Sequence, residues 1–493
     1  MLFTWIIPAG KQLLRTSYCY RRLHLQVPGG VRAKLTLQQI NHILRLREAT
    51  SADTECPPPI KTYEASQLAA NFPIEDRCLE AKLLRTGGML FAVIDGHGGP
   101  GCAQALSERL ADYVSVALMD ADSLQRLAGE IDSSANANSE FPIIVNRKLH
   151  PGDYIIPSQR SNHYRWLGRY VRDRVQSPPA VVDIPAQLKD AFLRLDQDIS
   201  ASGLETLDDN DEVVKNVSLE NLSCCLSGAV VSMAYVNDCD LYMASTGDAM
   251  GIIASIDEEG IWSSQVLTAQ HTHKNAQELQ RLYEQHPGEE SGVVVAERLL
   301  GQLYPLRAFG DCQYKWPAEQ LKAILKHHML MHMFPQNYHT PPYLTAEPEI
   351  TYHRLHANNR FILLSSDGLF DFLNDESATK LVTEHMSGRR ALQPFSVPPN
   401  SGATLAELNL RLKKRMIAQS KKPDDANVAT HVIRHALGRS ETGLDMNKLS
   451  RTLSASVEEA RYQRDDMTVQ IAFFDKDYLR LFSPMETGNR SKE

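Results

Sequence analysis

Apolar runs separated by short polar stretches divide the chain, and one of them ends unusually abruptly. Residues 89–94 are six consecutive apolar residues, followed directly by Asp95-Gly96-His97-Gly98-Gly99. Such a run is typical of a strand covered on both faces, and the glycines beyond it allow close backbone approach. The pattern predicts a buried strand that carries Asp95 to a polar site. There its carboxylate and the Gly96 carbonyl suit a hard metal ion. A solvated aspartate at an ordinary turn is the alternative.

Other apolar runs predict further strands, many of them joined by tight turns. Residues 227–236, 240–245, 251–255 and 261–268 indicate an antiparallel meander. Later strands are predicted over 351–355, 360–364 and 467–474.

Apolar residues three and four positions apart predict amphipathic helices after the Asp95 segment and elsewhere. The helical stretches are 35–44, 106–118, 188–199, 275–285, 293–300 and 316–335, with a helix-rich excursion over 374–459. Residues 121–185 are polar and contain several prolines, and we expect an irregular insertion there.

The composition and charge of the chain exclude several classes of protein. The 493 residues are 43% hydrophobic and 23% charged, which is ordinary for a globular protein. The net charge of −8 argues against a general nucleic-acid binder, and we find no apolar stretch long enough for a transmembrane helix. The 8 cysteines form no Cys-x-x-Cys pair, which favours reduced, mostly buried thiols.

The amino-terminal segment is basic. Residues 1–47 contain eight lysines and arginines and no acidic residue, the charge pattern of a mitochondrial transit peptide. A secretory signal is the alternative, but its apolar core would span only residues 2–7. We therefore predict a transit peptide over 1–30 and one domain over 31–480 with insertions near 121–185 and 374–460. A polar tail follows over 481–493.

Two more carboxylates stand at strand boundaries. Asp367 follows the strand predicted over 360–364, and Asp465 precedes the last strand. If they meet Asp95 at one end of two packed sheets, their charges raise one another's pKa unless cations neutralise them. A pair of divalent ions does so, and it can activate a shared water for in-line attack on phosphorus. His97 could then protonate the leaving alkoxide, although a buried turn histidine is its simpler interpretation.

Seven short motifs occur in order along the chain. They are Glu75-Asp76, Asp95–Gly99, Ser227–Ala229, Thr246–Asp248, Arg307–Asp311, Ser366–Leu369 and Arg464–Thr468. Together they resemble the metal-dependent type 2C Ser/Thr protein phosphatases over about residues 65–474. Within that family, residues 67–77, 306–311 with 315–316, 335–349 and 429–436 are similar to the pyruvate dehydrogenase phosphatases.

The resemblance implies an α+β fold, an αββα sandwich in which two antiparallel sheets lie between helical layers. It further implies two Mg²⁺ or Mn²⁺ ions per subunit, with a third, weaker ion as an option. In this set Asp95 bridges the ions, Gly96 binds one through its carbonyl, Asp367 and Asp465 bind the other, and Glu75 and Asp76 hold metal-bound water. His97 is the general acid, and Asp248 contributes to the third ion. Asp466 contacts the ligands without binding an ion directly. Asn71 stands where the family has a phosphate-binding arginine.

The resemblance also implies a function. We expect a mitochondrial matrix phosphatase that hydrolyses phosphoserine on the pyruvate dehydrogenase component and reactivates the complex. Its implied partners are the lipoyl domain of the acetyltransferase core and a regulatory subunit, with no nucleic acid and no membrane span. The alternatives are a mitochondrial phosphatase for other phosphoproteins and a catalytically silent binding module. A metal-dependent nuclease fits the acids alone, but not the acidic surface.

Overall fold

Two antiparallel sheets form the centre of the structure, which is a computed structural model. It describes residues 34–51, 56–136, 141–148, 150, 157–178, 183–204, 219–392, 395, 402, 404–419, 423–441 and 443–482. The predicted transit peptide over 1–30 and residues 483–493 of the predicted tail lie outside this range. The first sheet has the strand order β1-β2-β17-β14-β8-β9, and the second has the order β13-β7-β6-β4-β3-β5 with β12 beside β6.

The strands of the first sheet are β1 (Ala49–Thr50), β2 (Ile60–Leu68), β8 (Met250–Ile256), β9 (Trp262–Val266), β14 (Asn359–Ser365) and β17 (Met467–Phe474). Those of the second are β3 (Arg77–Leu83), β4 (Met89–His97), β5 (Val145–Arg147), β6 (Gly228–Asn237), β7 (Asp240–Thr246), β12 (Phe309–Gly310) and β13 (Glu349–Arg354). Two short hairpins stand apart, formed by β10 (Val294–Val295) with β11 (Arg298–Leu299) and by β15 (Arg439–Ser440) with β16 (Gly443–Leu444).

Side chains along each strand point alternately to the two faces of its sheet, and so contribute to two different cores. On β4, Phe91 and Val93 belong to the core between the sheets, together with Ile362 of β14. The intervening Leu90 and Ile94 face the opposite way, into the core under the helices. Because side chains alternate between faces, Asp95 shares the inward side of β4 with Phe91 and Val93. Its carboxylate is therefore directed to the space between the two sheets.

Helices cover both outer faces. Those at Gly101–Ala117 and Ile184–Leu204 share a core with the second sheet, while Asp375–Leu392 and Val428–Gly438 share one with the first. The predicted αββα sandwich is therefore confirmed. The remaining helices are Leu37–Arg45, Ala121–Asn136, Pro157–Gln176, Leu219–Leu226, Ala276–Gln285, Glu290–Val293, Ala318–His327, Asp367–Phe370, Leu405–Gln419, Met446–Leu453, Val457–Gln463 and Lys476–Phe482, with 3₁₀ turns at Cys312–Tyr314 and Met331–Met333.

The predicted meander is wrong as a single sheet. Its first two strands, β6 and β7, lie in the second sheet, whereas β8 and β9 lie in the first. After β7 the chain crosses from the second sheet to the first through Thr246-Gly247-Asp248. As a result, β7 pairs with β13 in the second sheet, and β8 pairs with β14 in the first. Period-two alternation identifies strands but not the sheet that each strand joins. The crossing brings Asp248 to the same end of the sandwich as Asp95.

Three other expectations need correction. Residues 121–185 are not irregular where described, because two long helices, Ala121–Asn136 and Pro157–Gln176, pack against each other there and the second also contacts the helix at Gly101–Ala117. Residues 293–300 form the β10–β11 hairpin and not a helix, since Ala296 and Glu297 adopt positive φ angles of 49° and 67° that a helix excludes. The helix predicted over 316–335 spans only Ala318–His327.

Two simpler expectations concern membranes and thiols. No helix in the described part of the chain is long and apolar enough to cross a bilayer. Of the cysteines in the described part of the chain, Cys56 is half-buried and the others are buried. The prediction of mostly buried thiols is confirmed for these residues.

Candidate metal centre

The end of β4 forms one wall of an acidic site. Asp95 pairs with Val230 of β6 and is partly buried. A side chain at Gly96 would place its Cβ 2.3 Å from the Glu75 carbonyl oxygen, so only glycine permits this approach. The segment that carries Glu75 therefore lies directly against the Asp95-Gly96 backbone.

Asp367 approaches Asp95 from the other sheet. It is the first residue of the short helix that follows β14, and its backbone N–H donates to Asp95 Oδ2 at 3.3 Å. The pKa of Asp367 is raised to about 7, because the carboxyl is buried and lies near Asp248 and Asp465. Two of the three acidic residues expected to converge are thus in direct contact.

Asp465 and Asp466 precede β17 and have different surroundings. Asp466 is buried, and its carboxylate accepts the backbone N–H groups of Ala70 at 2.5 Å, Asn71 at 2.8 Å and Glu75 at 2.7 Å. Asp465 is exposed, and its Oδ1 accepts from the Asp466 N–H at 2.7 Å. Asp466 therefore holds the loop over 70–75, whereas Asp465 keeps an oxygen available at the surface of the site.

The 70–75 loop carries the predicted water-holding acids. Burial and the charge of Asp466 raise the pKa of Glu75 to about 7 and that of Asp76 well above its usual range. Asp76 Oδ2 is buried and has no hydrogen-bond partner among the described residues. An orphaned carboxylate oxygen of this kind indicates a missing cation or water.

Asn71 lies at the edge of the same loop. Its Nδ2 donates to Asp465 Oδ1 at 3.2 Å. At the position where the resemblance implies a phosphate-binding arginine, this chain thus places a neutral amide that is hydrogen-bonded to an acid of the site.

Asp248 joins the cluster through the crossing between sheets. It is buried, and burial raises its pKa to about 6, although the charge of His97 opposes the shift. Asp371 also raises the pKa of both Asp248 and Asp367. Sequence reasoning missed Asp371. The available signal was its position four residues after Asp367, one helical turn further on.

Taken together, the cluster fits hard divalent ions. Burial raises the pKa of Asp95 well above its usual range, and the charges of Asp367, Asp76, Asp248 and Asp465 raise it further. The donors are all carboxylate or carbonyl oxygens, the ligands that Mg²⁺ and Mn²⁺ prefer. The structure therefore brings together all the predicted metal-site acids, with Asp466 in a backbone-binding position.

His97 faces a different partner. Its Nε2 lies 2.6 Å from Asp311 Oδ2, and Asp311 is almost completely buried. Burial would lower the pKa of His97, but the charge and hydrogen bond of Asp311 raise it overall. A Cβ at Gly228 would lie 2.1 Å from Asp311 Oδ2 and 2.2 Å from His97 Nε2, so the pair needs glycine beside it. The motif over 307–311 was recognised, but this contact was not.

Comparisons with known proteins agree with this geometry. The family model described as "Protein phosphatase 2C" matches residues 171–422. A human mitochondrial pyruvate dehydrogenase (acetyl-transferring)-phosphatase 2 is 37% identical over 461 residues, which cover 90% of this chain and 84% of that protein.

The human mitochondrial phosphatase 1 is 36% identical over 468 residues, or 92% of this chain and 85% of that protein. The Saccharomyces cerevisiae phosphatase 1 is 28% identical over 446 residues, or 84% of this chain and 68% of that protein. The chain belongs to the protein phosphatase 2C family, in which it groups with the pyruvate dehydrogenase phosphatases.

Proposed function

We propose that this protein is a metal-dependent phosphatase that hydrolyses phosphoserine on the pyruvate dehydrogenase component and so reactivates the complex. The observation that carries the proposal is the convergence of Asp95, Asp367 and Asp465 from distant segments. The substrate is supported by the relatives, which are named for this reaction and match almost the whole chain.

The acidic residues of the site would have different roles in binding ions and water. Asp95 and the Gly96 carbonyl would hold one Mg²⁺ or Mn²⁺ ion, and Asp367 and Asp465, together with Asp95, would hold a second. Glu75 and Asp76 would hold water on these ions, which would give Asp76 Oδ2 a partner. Asp248 would contribute to a third, weaker ion, with Asp371 beside it.

Catalysis then needs a nucleophile and a proton. Bound divalent ions lower the pKa of water and stabilise charge on a phosphoryl group. The chain itself supplies the proton through His97, which protonates the serine alkoxide as it leaves. Because Nε2 is bound to Asp311, the proton that His97 delivers is the one on Nδ1. Asn71 contributes at most a neutral hydrogen bond to phosphate.

We propose a setting for the reaction as well. The relatives are mitochondrial proteins, and together with the basic segment over 1–47 they support a location in the matrix. There the lipoyl domain of the acetyltransferase core would hold the enzyme near its substrate, and a regulatory subunit would adjust its activity.

The test is phosphate release from phosphorylated pyruvate dehydrogenase complex. Wild-type protein should release phosphate with Mg²⁺ or Mn²⁺ and not with excess chelator. Asp95→Asn should lose more than about 100-fold in kcat, while the exposed Asp122→Asn, also an aspartate change, should keep full activity. Undiminished release by a folded Asp95→Asn protein would refute the site. Faster turnover of unrelated phosphoproteins would leave the site intact and refute the substrate.

A further inference from the structure

A second group of metal-ligating side chains lies on β3. Cys78 and Glu80 are two residues apart and therefore share one face of the strand. His150 reaches them from the chain after β5, which is fixed in place because the Lys148 N–H donates to the Glu80 carbonyl at 3.0 Å. All three side chains are buried, with at most 4% of each residue exposed.

The ligand atoms are close enough for one ion. One atom from each of the three side chains lies within 4.8 Å of the others. His150 Nε2 is hydrogen-bonded to Glu80 Oε2, and Cys78 Sγ lies 3.5 Å from Glu80 Oε1. Ligand atoms of tetrahedral zinc lie about 3.5 Å apart, given bonds of about 2.0–2.3 Å, so small side-chain shifts suffice.

The charge at this cluster also suits a divalent ion. Glu80 is fully buried, and in the described chain no lysine or arginine is paired with it. The nearby Lys148 instead directs its Nζ to the Thr50 carbonyl at 2.8 Å. A buried carboxylate needs a compensating charge, and His150 supplies one only while protonated. A Zn²⁺ ion with one thiolate and one carboxylate would be electrically neutral.

Ligand chemistry distinguishes this cluster from the carboxylate site. Thiolate and imidazole are softer ligands than carboxylate oxygens and select Zn²⁺ over Mg²⁺. Gln470 of β17 donates from Nε2 to Glu80 Oε1 at 2.6 Å, and its Oε1 has no hydrogen-bond partner among the described residues. Rotation of the Gln470 amide by about 180° would exchange its nitrogen and oxygen positions and turn Oε1 towards the cluster, which makes this oxygen a candidate for the fourth ligand. It would also connect the second sheet, which contains β3, to the first.

We propose that Cys78, Glu80 and His150 form a structural Zn²⁺ site that joins β3 to the chain after β5. Binding releases the thiol proton of Cys78, and the proton between Glu80 Oε2 and His150 Nε2 is released or moves to His150 Nδ1. The thiolate, the carboxylate and Nε2 then bind the ion. The ion would have no part in phosphate hydrolysis. It would stabilise the strand that begins directly after Glu75 and Asp76.

The experiment measures metal in the full-length protein after extensive dialysis against Mg²⁺ without zinc. Wild type and Asp95→Asn should each retain about one zinc per chain, whereas Cys78→Ser and His150→Gln should retain almost none. Cobalt substitution should give a thiolate-to-metal charge-transfer band in wild type. The band should persist in Cys239→Ser, which removes another buried thiol, and disappear in Cys78→Ser.

The wild-type protein alone can refute the proposal, so the result does not depend on whether a variant folds. If wild type retains no zinc and shows no cobalt–thiolate band, the proposal is overturned. Zinc lost from Asp95→Asn but kept by Cys78→Ser would assign the ion to the carboxylate site and equally overturn it. Circular dichroism of each variant checks its fold, and removing zinc should lower the melting temperature of wild type but not of Cys78→Ser.

Discussion

Asp311 should control the proton supply through His97. Replacing Asp311 with Asn keeps the shape of the side chain but removes the charge next to His97 Nε2, 2.6 Å away. Asp311 is 3% exposed at its side chain, so water cannot replace the lost interaction. A hydrogen bond to a charged group contributes about 1.5–3 kcal/mol. If about 2 kcal/mol of this acts in the transition state, kcat falls about 30-fold.

The assay compares leaving groups. Serine alkoxide needs a proton as it departs, whereas an aryl phosphate such as p-nitrophenyl phosphate releases a stable phenolate without one. Asp311→Asn should therefore lower kcat about 30-fold on a phosphoserine peptide and only slightly on the aryl phosphate. His97→Gln should show the same selectivity, and the double variant should be no worse than His97→Gln alone.

Two results would refute this reasoning. Equal losses on both substrates would mean that Asp311→Asn damages metal binding or folding and not proton delivery. Additive losses in the double variant would mean that Asp311 acts independently of His97. Gln313→Leu is a matched control, because Gln313 donates to the other oxygen of Asp311 at 3.1 Å and its loss leaves the charge in place.

Three further variants test the framework around the site. Asp466→Ala leaves backbone N–H groups of the 70–75 loop unpaired. Urea unfolding should therefore show a free energy of unfolding that is lower by about 3 kcal/mol or more, and phosphate release should respond more weakly to added Mg²⁺. Gly96→Ala forces a Cβ against the Glu75 carbonyl, and phosphate release should fall at least about 10-fold. Burial would raise the pKa of Asp425, but its contact with buried Arg434 at 2.6 Å lowers it. The contribution of this ion pair to the free energy of unfolding should therefore be fully present above about pH 3.9, the pKa of an unfolded aspartate, and should decline as pH falls below it. Asp425→Asn should reduce that acid-dependent loss of stability.

Sequence alone predicted the strands and the acids at their ends, because both signals are local. A run of apolar residues such as 89–94 needs burial on both sides, and a polar residue directly after it must lie at an edge. The resemblance to known phosphatases then supplied the order of the motifs. Local patterns cannot show that Asp95 and Asp367 meet, since 272 residues separate them.

Most of the missed features depend on contacts between distant segments. The exchange of sheets at residues 246–248 depends on which strand β7 and β8 find as neighbours, and alternation is the same in either sheet. The Asp311–His97 pair joins residues 214 positions apart. The two helices within residues 121–185 carry many polar residues, and the tertiary packing of their apolar side chains outweighs that composition.

The choice between Asp465 and Asp466 shows how the structure refines a motif. Sequence alone cannot separate two adjacent aspartates, but the start of β17 turns them to opposite sides. Asp466 accepts three backbone N–H groups from the 70–75 loop, which uses most of its capacity to accept hydrogen bonds. Asp465 is exposed, and within the described part of the chain it accepts hydrogen bonds through Oδ1, so its Oδ2 remains available to an ion. The geometry therefore favours Asp465 as the ligand, with Asp466 fixing the loop that carries Glu75 and Asp76.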